Sequence, residues 1–258
     1  MSKNIHPTAI VSKKANIEED VTIGPFAIIG ENVKIGVGTI IDAFAQILGY
    51  TVVGKNCHIF SYAIIGNTPQ DLKYKGEKSY LIIGDNNKIR EFVTIHPGTE
   101  RNSKTIIGNN NLIMAYSHIA HDCKIGENNI LANAATLAGH VIIENNVVVG
   151  GLAAIHQFCR IGSFSIIGGC SKVVQDVPPY SMCDGHPAVI QSINLVGLRR
   201  ANFSSQKIQL IKKAFKILFF QNHPFNIAKK LIEKQLPPSE EISYLLNFIS
   251  SSKRGICL

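Results

Sequence analysis

Tryptophan is absent from the 258 residues and methionine occurs three times, so an aromatic-rich reader of nucleic acid has little to be built from. No uninterrupted apolar run approaches the length of a membrane span. The opening Met-Ser-Lys-Asn-Ile-His-Pro has no apolar stretch of the kind a secretory leader carries. A cytoplasmic protein without a transmembrane segment is therefore expected. No pair among Cys57, Cys123, Cys159, Cys170, Cys183 and Cys257 forms a CxxC, and their spacing resembles neither a disulfide framework nor a zinc knuckle. Free, mostly buried thiols in a reducing compartment fit better. An excess of either charge is also missing from residues 1–190, which hold 15 basic and 15 acidic side chains. Residues 191–258 hold 11 basic and 3 acidic ones, and so carry the whole net charge of +8. That field suits an anionic partner, or else is simply a solvated helix face. With 45% apolar residues, the chain is no disordered segment.

What the chain has in abundance is an aliphatic residue at every sixth position. The series runs unbroken from Ile5 through Val11 and Ile17 to Ile65, returns at Ile83, Ile89 and Ile95, and continues from Ile107 to Val173. Glycine often follows, as at Gly24, Gly36, Gly54, Gly84, Gly108 and Gly126. Helical periodicity drifts against six, whereas short strands joined by tight turns keep it. Three strands make an 18-residue coil, and coils stack about 4.8 Å apart. The expected fold is an all-β solenoid, a triangular parallel β-helix filled with stacked aliphatics. Asparagines such as Asn109–Asn111 and Asn128–Asn129 suit turns that need left-handed dihedrals. Two polar stretches, 66–80 and 97–104, read as loops extruded from the coils. The pattern ends before Pro178-Pro179, and residues 191–258 read as a basic helical domain. Its helices are expected over Ser204–Gln221, over Asn226–Gln235 and after Ser239. The first domain then spans 1–190.

Coil arithmetic converts sequence spacing into neighbourhood. His121, Gly139 with His140, and His156 with Gln157 fall on one edge in successive coils; His118 lies on the preceding strand and His96 beside the second loop. A neutral imidazole at His121, with Asp122 next to it, suits a general base for a hydroxyl or amine attacking an acyl carbon. The unobstructed N–H of Gly139 suits the oxyanion that follows. Two other readings stand beside this. Any one of these histidines could be a turn residue bonded to its own coil. Alternatively, His118, His121 and His140 could bind zinc.

The strings His118–Gly126 (HIAHDCKIG), Leu137–His140 (LAGH), His156–Gly162 (HQFCRIG) and Gly168–Cys170 (GGC) resemble bacterial UDP-N-acetylglucosamine O-acyltransferases of the hexapeptide-repeat superfamily. Gln70–Gly76 (QDLKYKG), Ile95–Thr99 (IHPGT) and Asn194–Arg200 (NLVGLRR) extend the likeness over essentially the whole chain. The resemblance implies a left-handed β-helix and a homotrimer with active sites in clefts between subunits. It implies transfer of a (3R)-3-hydroxyacyl group from acyl carrier protein to the glucosamine 3-hydroxyl of UDP-N-acetylglucosamine, the first step of lipid A biosynthesis. His121 matches the base, Asp122 its orienting partner and Gly139 the oxyanion amide. Asp71, Lys73, His96, His118, His140, His156 and Gln157 match substrate-contacting positions. Asn194 and Arg200 match tail residues near phosphopantetheine or nucleotide, and Gly169 matches a hydrocarbon ruler that would admit roughly C12 to C16 chains. Val196 and Ala201 depart from the family pattern in the tail, and Pro187 departs from it in the preceding segment DGHP. The chemistry so implied needs no metal or other cofactor. An acidic carrier protein also suits the basic tail. Two rival functions are an N-acyltransferase acting on an amino-sugar nucleotide and a trimeric scaffold that keeps only the solenoid; nucleic-acid binding has no support.

Overall fold

The computed structural model describes residues 4–258. Most of the chain winds into a left-handed parallel β-helix whose coils contribute to three sheets of 11, 9 and 8 strands. Nearly all coil strands are two residues long, and each pairs in parallel with its counterpart one coil away. Ile23 lies against Ile41, and Ile41 against Ile59, in the first sheet. The sixth-residue aliphatics from Ile17 onward point inward and are buried. Ile5 and Val11 are not, because the first coil has no coil beyond it to cover them.

The sequence pattern shows one buried side chain per strand, but the structure buries two. The residue two places before each aliphatic is also interior and mostly small, as at Val21, Ala27, Val33, Ala45, Cys57 and Ala63. In the first sheet this second column becomes polar. Asn87, Asn111 and Asn129 are buried there, with Asn87 Oδ1 accepting from Asn111 N at 2.9 Å and Asn111 Oδ1 accepting from Asn129 N at 2.9 Å. These asparagines satisfy backbone groups that a twisting coil would otherwise strand.

Most corners turn through a residue at positive φ, three places after the buried aliphatic. Asparagine dominates the corner between the third and first sheets, at Asn56, Asn86, Asn110, Asn128 and Asn146. The corner between the first and second sheets instead carries Phe26, Phe44, Tyr62, Phe92 and Tyr116, with φ from 58° to 63°. Asp122, His140 and Phe158 occupy the corner between the second and third sheets. The glycine column Gly36, Gly54, Gly84 sits where coils touch; a Cβ on Gly36 would lie 2.7 Å from the Gly54 carbonyl carbon.

The two extruded loops leave this stacking intact. Ile59 pairs with Ile89 across the first loop and Ile89 with Ile113 across the second. Tyr80 and Lys104, placed in those loops by sequence, open the strands Tyr80–Ile83 and Lys104–Ile107.

After the last coil, an antiparallel hairpin of Ser181–Gly185 and Ala188–Ile193 closes the first sheet. Four helices follow: α1 (Leu195–Arg200), α2 (Ser205–Phe219), α3 (Phe225–Gln235) and α4 (Glu240–Ser250). Ser204 and Ser239 cap α2 and α4 through bonds accepted from Lys207 N and Ile242 N. Helix α2 buries Ile208, Ile211, Phe215 and Leu218. Several hydrogen bonds fasten the helical tail to the rod. Tyr244 Oη meets Glu144 and accepts from Ser163 N, while Asp176 accepts from Ser252 Oγ at 2.7 Å.

Candidate active site

The second-sheet strand His118–Ile119 ends in the turn that presents His121 and Asp122. One coil on, Thr136–Leu137 ends in the turn that presents Gly139 and His140. Stacking brings the two turns into contact. A Cβ on Gly139 would fall 2.5 Å from His121 Cε1 and 2.6 Å from Nε2, so the imidazole lies directly on the Gly139 backbone. Any other residue would displace it. The flanking amides of Ala138 and His140 donate to the carbonyls of Ile155 and His121, and the Gly139 N–H has no backbone partner among the described residues.

His121 Nδ1 lies 2.9 Å from Asp122 Oδ2, and its side chain is only 15% exposed. The same carboxylate accepts from Thr99 N at 3.1 Å and Thr99 Oγ1 at 2.7 Å, both from the second loop. Burial pushes the Asp122 pKa up, but hydrogen bonds from His121, Thr99 and Ser103, with His140 nearby, outweigh it and hold the group below the ordinary carboxylate range. An ionised Asp122 requires His121 to carry its proton on Nδ1, so Nε2 presents a lone pair. Asp71 Oδ2, from the first loop, stands 3.7 Å from Nε2. The first loop thus places Asp71 at one end of the ring, and the second loop, through Thr99, braces the coil's own Asp122 at the other. Thr99 and Ser103 were given no role by sequence; Thr99 closes the string IHPGT, and Ser103 had only its position in an extruded loop.

The other expected residues sort into three groups. His140, His118 and His96 surround the pair. His140 lies edge-on to His121 with centroids 5.2 Å apart and is stacked on Phe158, which sequence reading also missed. His118 meets Thr94 Oγ1 at 2.7 Å; burial, then its histidine neighbours His96 and His121, pushes its pKa down. His96 is 5% exposed, its Nδ1 is 3.1 Å from the Asn67 carbonyl, and its buried Nε2 has no partner among the described residues. Lys73 and Gln157 share this corner at its exposed margin, with Lys73 N donating to Asp71 Oδ1. His156 is exposed and turned to the Gln157 carbonyl.

Three residues lie elsewhere in the chain. Gly169 belongs to the aromatic corner, beside Cys170. Asn194 is occupied as the cap of α1, accepting from Gly197 N and donating to the Phe164 carbonyl. Arg200 is exposed at the end of that helix.

His121, Asp122 and His140 offer donor atoms within 4.8 Å of one another, and are the residues that could hold a metal. An ion there would have to displace the bonds that Asp122 accepts from His121 and Thr99. As it stands, the arrangement is an imidazole oriented by a carboxylate, with a free backbone N–H beside it. Such an arrangement can act as a base beside an oxyanion donor.

Rod and site together define a hexapeptide-repeat transferase, and residues 14–49 and 104–139 match the bacterial transferase hexapeptide family. Residues 176–257 match the second domain of UDP-N-acetylglucosamine O-acyltransferase. The chain is 51% identical over 255 residues to an acyl-(acyl-carrier-protein)–UDP-N-acetylglucosamine O-acyltransferase of Aliarcobacter butzleri, covering 98% of this chain and 97% of the relative. It is 53% identical over 254 residues to that of Thermodesulfovibrio yellowstonii, covering 98% of both. The solved UDP-N-acetylglucosamine acyltransferase of Campylobacter jejuni superposes with a TM-score of 0.92 at 43% identity, covering 99% of each chain. The chain belongs to the UDP-N-acetylglucosamine O-acyltransferase family.

Proposed function

We propose that this protein transfers a (3R)-3-hydroxyacyl group from acyl carrier protein to the glucosamine 3-hydroxyl of UDP-N-acetylglucosamine, opening lipid A biosynthesis. The observation that carries the mechanism is the His121 ring, bonded to Asp122 and seated on Gly139. His121 Nε2 takes the proton of the 3-hydroxyl as its oxygen attacks the thioester carbonyl. Asp122 accepts the Nδ1–H throughout and stabilises the imidazolium, while Asp71 faces the charge from the other side. The carbonyl oxygen becomes an oxyanion against the Gly139 N–H. Collapse of the tetrahedral intermediate expels the carrier's thiolate, which takes the proton back from His121 and leaves the ester on the sugar.

His96, with its lone pair buried and unmatched, suits a substrate hydroxyl or amide N–H. Lys73, His118, His140, His156 and Gln157 extend the binding surface, and Gly169 sets the acyl length where a subunit neighbour completes the cleft. The carrier protein docks on the tail, where Lys212, Lys213 and Lys216 rim a cavity of about 400 Å³ floored by Ile193 and Phe215. Arg199 and Arg200 add charge at the end of α1. A phosphopantetheine-bearing acidic protein matches that surface. The functional assembly is a homotrimer.

Mass spectrometry of reactions containing UDP-N-acetylglucosamine and a panel of 3-hydroxyacyl carrier proteins tests this. A base-labile, singly acylated sugar nucleotide is the expected product. No product with any donor from the folded protein would overturn the reading, and a base-stable amide would redirect it to an amino sugar.

A further inference from the structure

Residues 252–258 run as a strap beside the rod's last turn, where Ile256 pairs in parallel with Asp176. Asp176 N donates to the Gly255 carbonyl at 2.9 Å, and Cys257 N donates to the Asp176 carbonyl at 3.1 Å. Ser252 Oγ donates to Asp176 Oδ2 at 2.7 Å, and the Arg254 guanidinium donates to the Val174 carbonyl. Hydrogen bonds hold the strap, and side-chain burial adds little to them. Within residues 252–258 only Cys257 is buried, while Leu258 beside it is 75% exposed.

The thiol buried by the strap faces a second thiol. Cys257 Sγ lies 3.5 Å from Cys183 Sγ in the hairpin strand Ser181–Gly185. Cys183 is fixed from both sides, paired with Ile167 of the rod and with Ile190 across the hairpin. Cys57 and Cys123 differ, because each donates to a backbone carbonyl, of Gly84 at 3.1 Å and of Ala138 at 3.2 Å. A disulfide bond is about 2.0 Å long, so each sulfur of the pair has well under an ångström to travel. While the strap is seated the pair is inert: the contact with Cys257, then burial, pushes the Cys183 pKa up. A chain end held by so few buried groups opens locally far more often than the fold unfolds, and that opening lets an oxidant reach Cys257.

We propose that Cys183 and Cys257 form a thiol-oxidation site, which hydrogen peroxide converts to a disulfide joining the chain end to the hairpin. With the strap unseated, the Cys257 thiolate attacks one peroxide oxygen. The O–O bond breaks, Cys257 becomes a sulfenic acid, and the departing hydroxide takes up the proton that the thiol gave. Reseating sets the sulfenic acid against Cys183, whose sulfur attacks it. The S–S bond forms, the S–O bond breaks, and the Cys183 proton leaves with the hydroxyl as water. Two thiols are thereby oxidised by two electrons, and one peroxide is reduced to two waters. The loop so closed contains α1 to α4, and the base of the helical tail is tied to its end.

The unaltered folded protein supplies the test. It is treated with hydrogen peroxide, unfolded, alkylated with N-ethylmaleimide and mapped by peptide mass spectrometry. Cys183 and Cys257 should lose the label together, appear as one cross-linked peptide, and regain the label after dithiothreitol. The oxidised chain should have an unfolding constant about 10³-fold smaller than the reduced chain's, because the bond closes a long loop. Ser252→Ala, which frees the strap from Asp176, should quicken the linkage about fivefold. Both thiols still labelled after oxidation would overturn the proposal, as would Cys257 joined to any other cysteine or driven to sulfinic acid without a link. A Ser252→Ala rate equal to the parent's would overturn the route through strap opening. These readouts use no acyl donor or acceptor, so their failure and a failure of acyl transfer are separate results.

Discussion

Two corners of the same rod solve one backbone problem with different side chains. At the asparagine corner, Asn110, Asn128 and Asn146 take left-handed dihedrals that their short amides tolerate. At the candidate catalytic corner, Asp122, His140 and Phe158 take the same dihedrals, and two of the three are bulky rings. The first corner follows backbone preference. The second gives up about 1–2 kcal/mol at each ring relative to an ideal turn residue. Where a chain accepts that cost, the side chain has been selected for its surroundings, and here the surroundings are His121 and its carboxylate.

The sharpest way to break this contrast is to empty the catalytic corner. His121→Ala removes the proton acceptor and should lower turnover by about 10³-fold, while the thermal melt stays that of the parent. Unchanged turnover in the acylation assay would remove His121 from the mechanism. Asp122→Asn keeps a residue suited to positive φ but loses the charge that fixes the tautomer. It should cost about 10²-fold or more in kcat.

Asp122 also gives the corner a pH signature. Its folded pKa is depressed, so the stability it contributes is complete above the unfolded carboxylate pKa of about 3.9 and is lost as pH falls through the lower folded value. The parent's melting temperature should therefore fall more steeply than that of Asp122→Asn below about pH 4. Parallel slopes would show that the carboxylate is not coupled to folding.

Gly139→Ala sets a methyl against the imidazole without any dihedral conflict. Turnover should drop about 10²-fold through misplacement of the ring, with KM for the sugar nucleotide little changed; a KM effect alone would locate the damage in binding. The smallest effect belongs to the other corner. Asn128→Ala should lower stability by about 1 kcal/mol in denaturant unfolding and leave kcat untouched.

The rod was legible because its core is written at a fixed interval: each aliphatic from Ile17 to Val173 is where the six-residue count puts it. The stacking of His121 on Gly139 was legible for the same reason, since 18 residues return the chain to the same edge. Residues outside that arithmetic were harder to read. Thr99 reaches Asp122 from a loop whose path no period constrains. The column of corner rings from Phe26 to Tyr116 escaped because the two loops stretch its spacing from 18 residues to 30 and 24, although the rings themselves stay about 5 Å apart. Asn194 matched a family position, but its cap geometry depends on α1, a helix of six residues too short to show a periodic stripe. The hairpin after the last coil was hidden because its strands pair with each other and with the rod's end, outside the repeat.

The register of the coils has a consequence for how the chain closes on itself. A parallel strand pair normally demands a long connection, and folding must meet the entropy of that closure before the contact forms. Here Thr22 finds Ile40 after one 18-residue circuit, and nearly every other closure in the rod is the same length. The two longer circuits are those that extrude Asp71 and Thr99, at 30 and 24 residues. Because closure entropy rises only with the logarithm of length, and neither circuit is twice the usual one, each adds less than about 0.6 kcal/mol. The rod can therefore carry both of its extruded loops with almost no loss of chain order elsewhere.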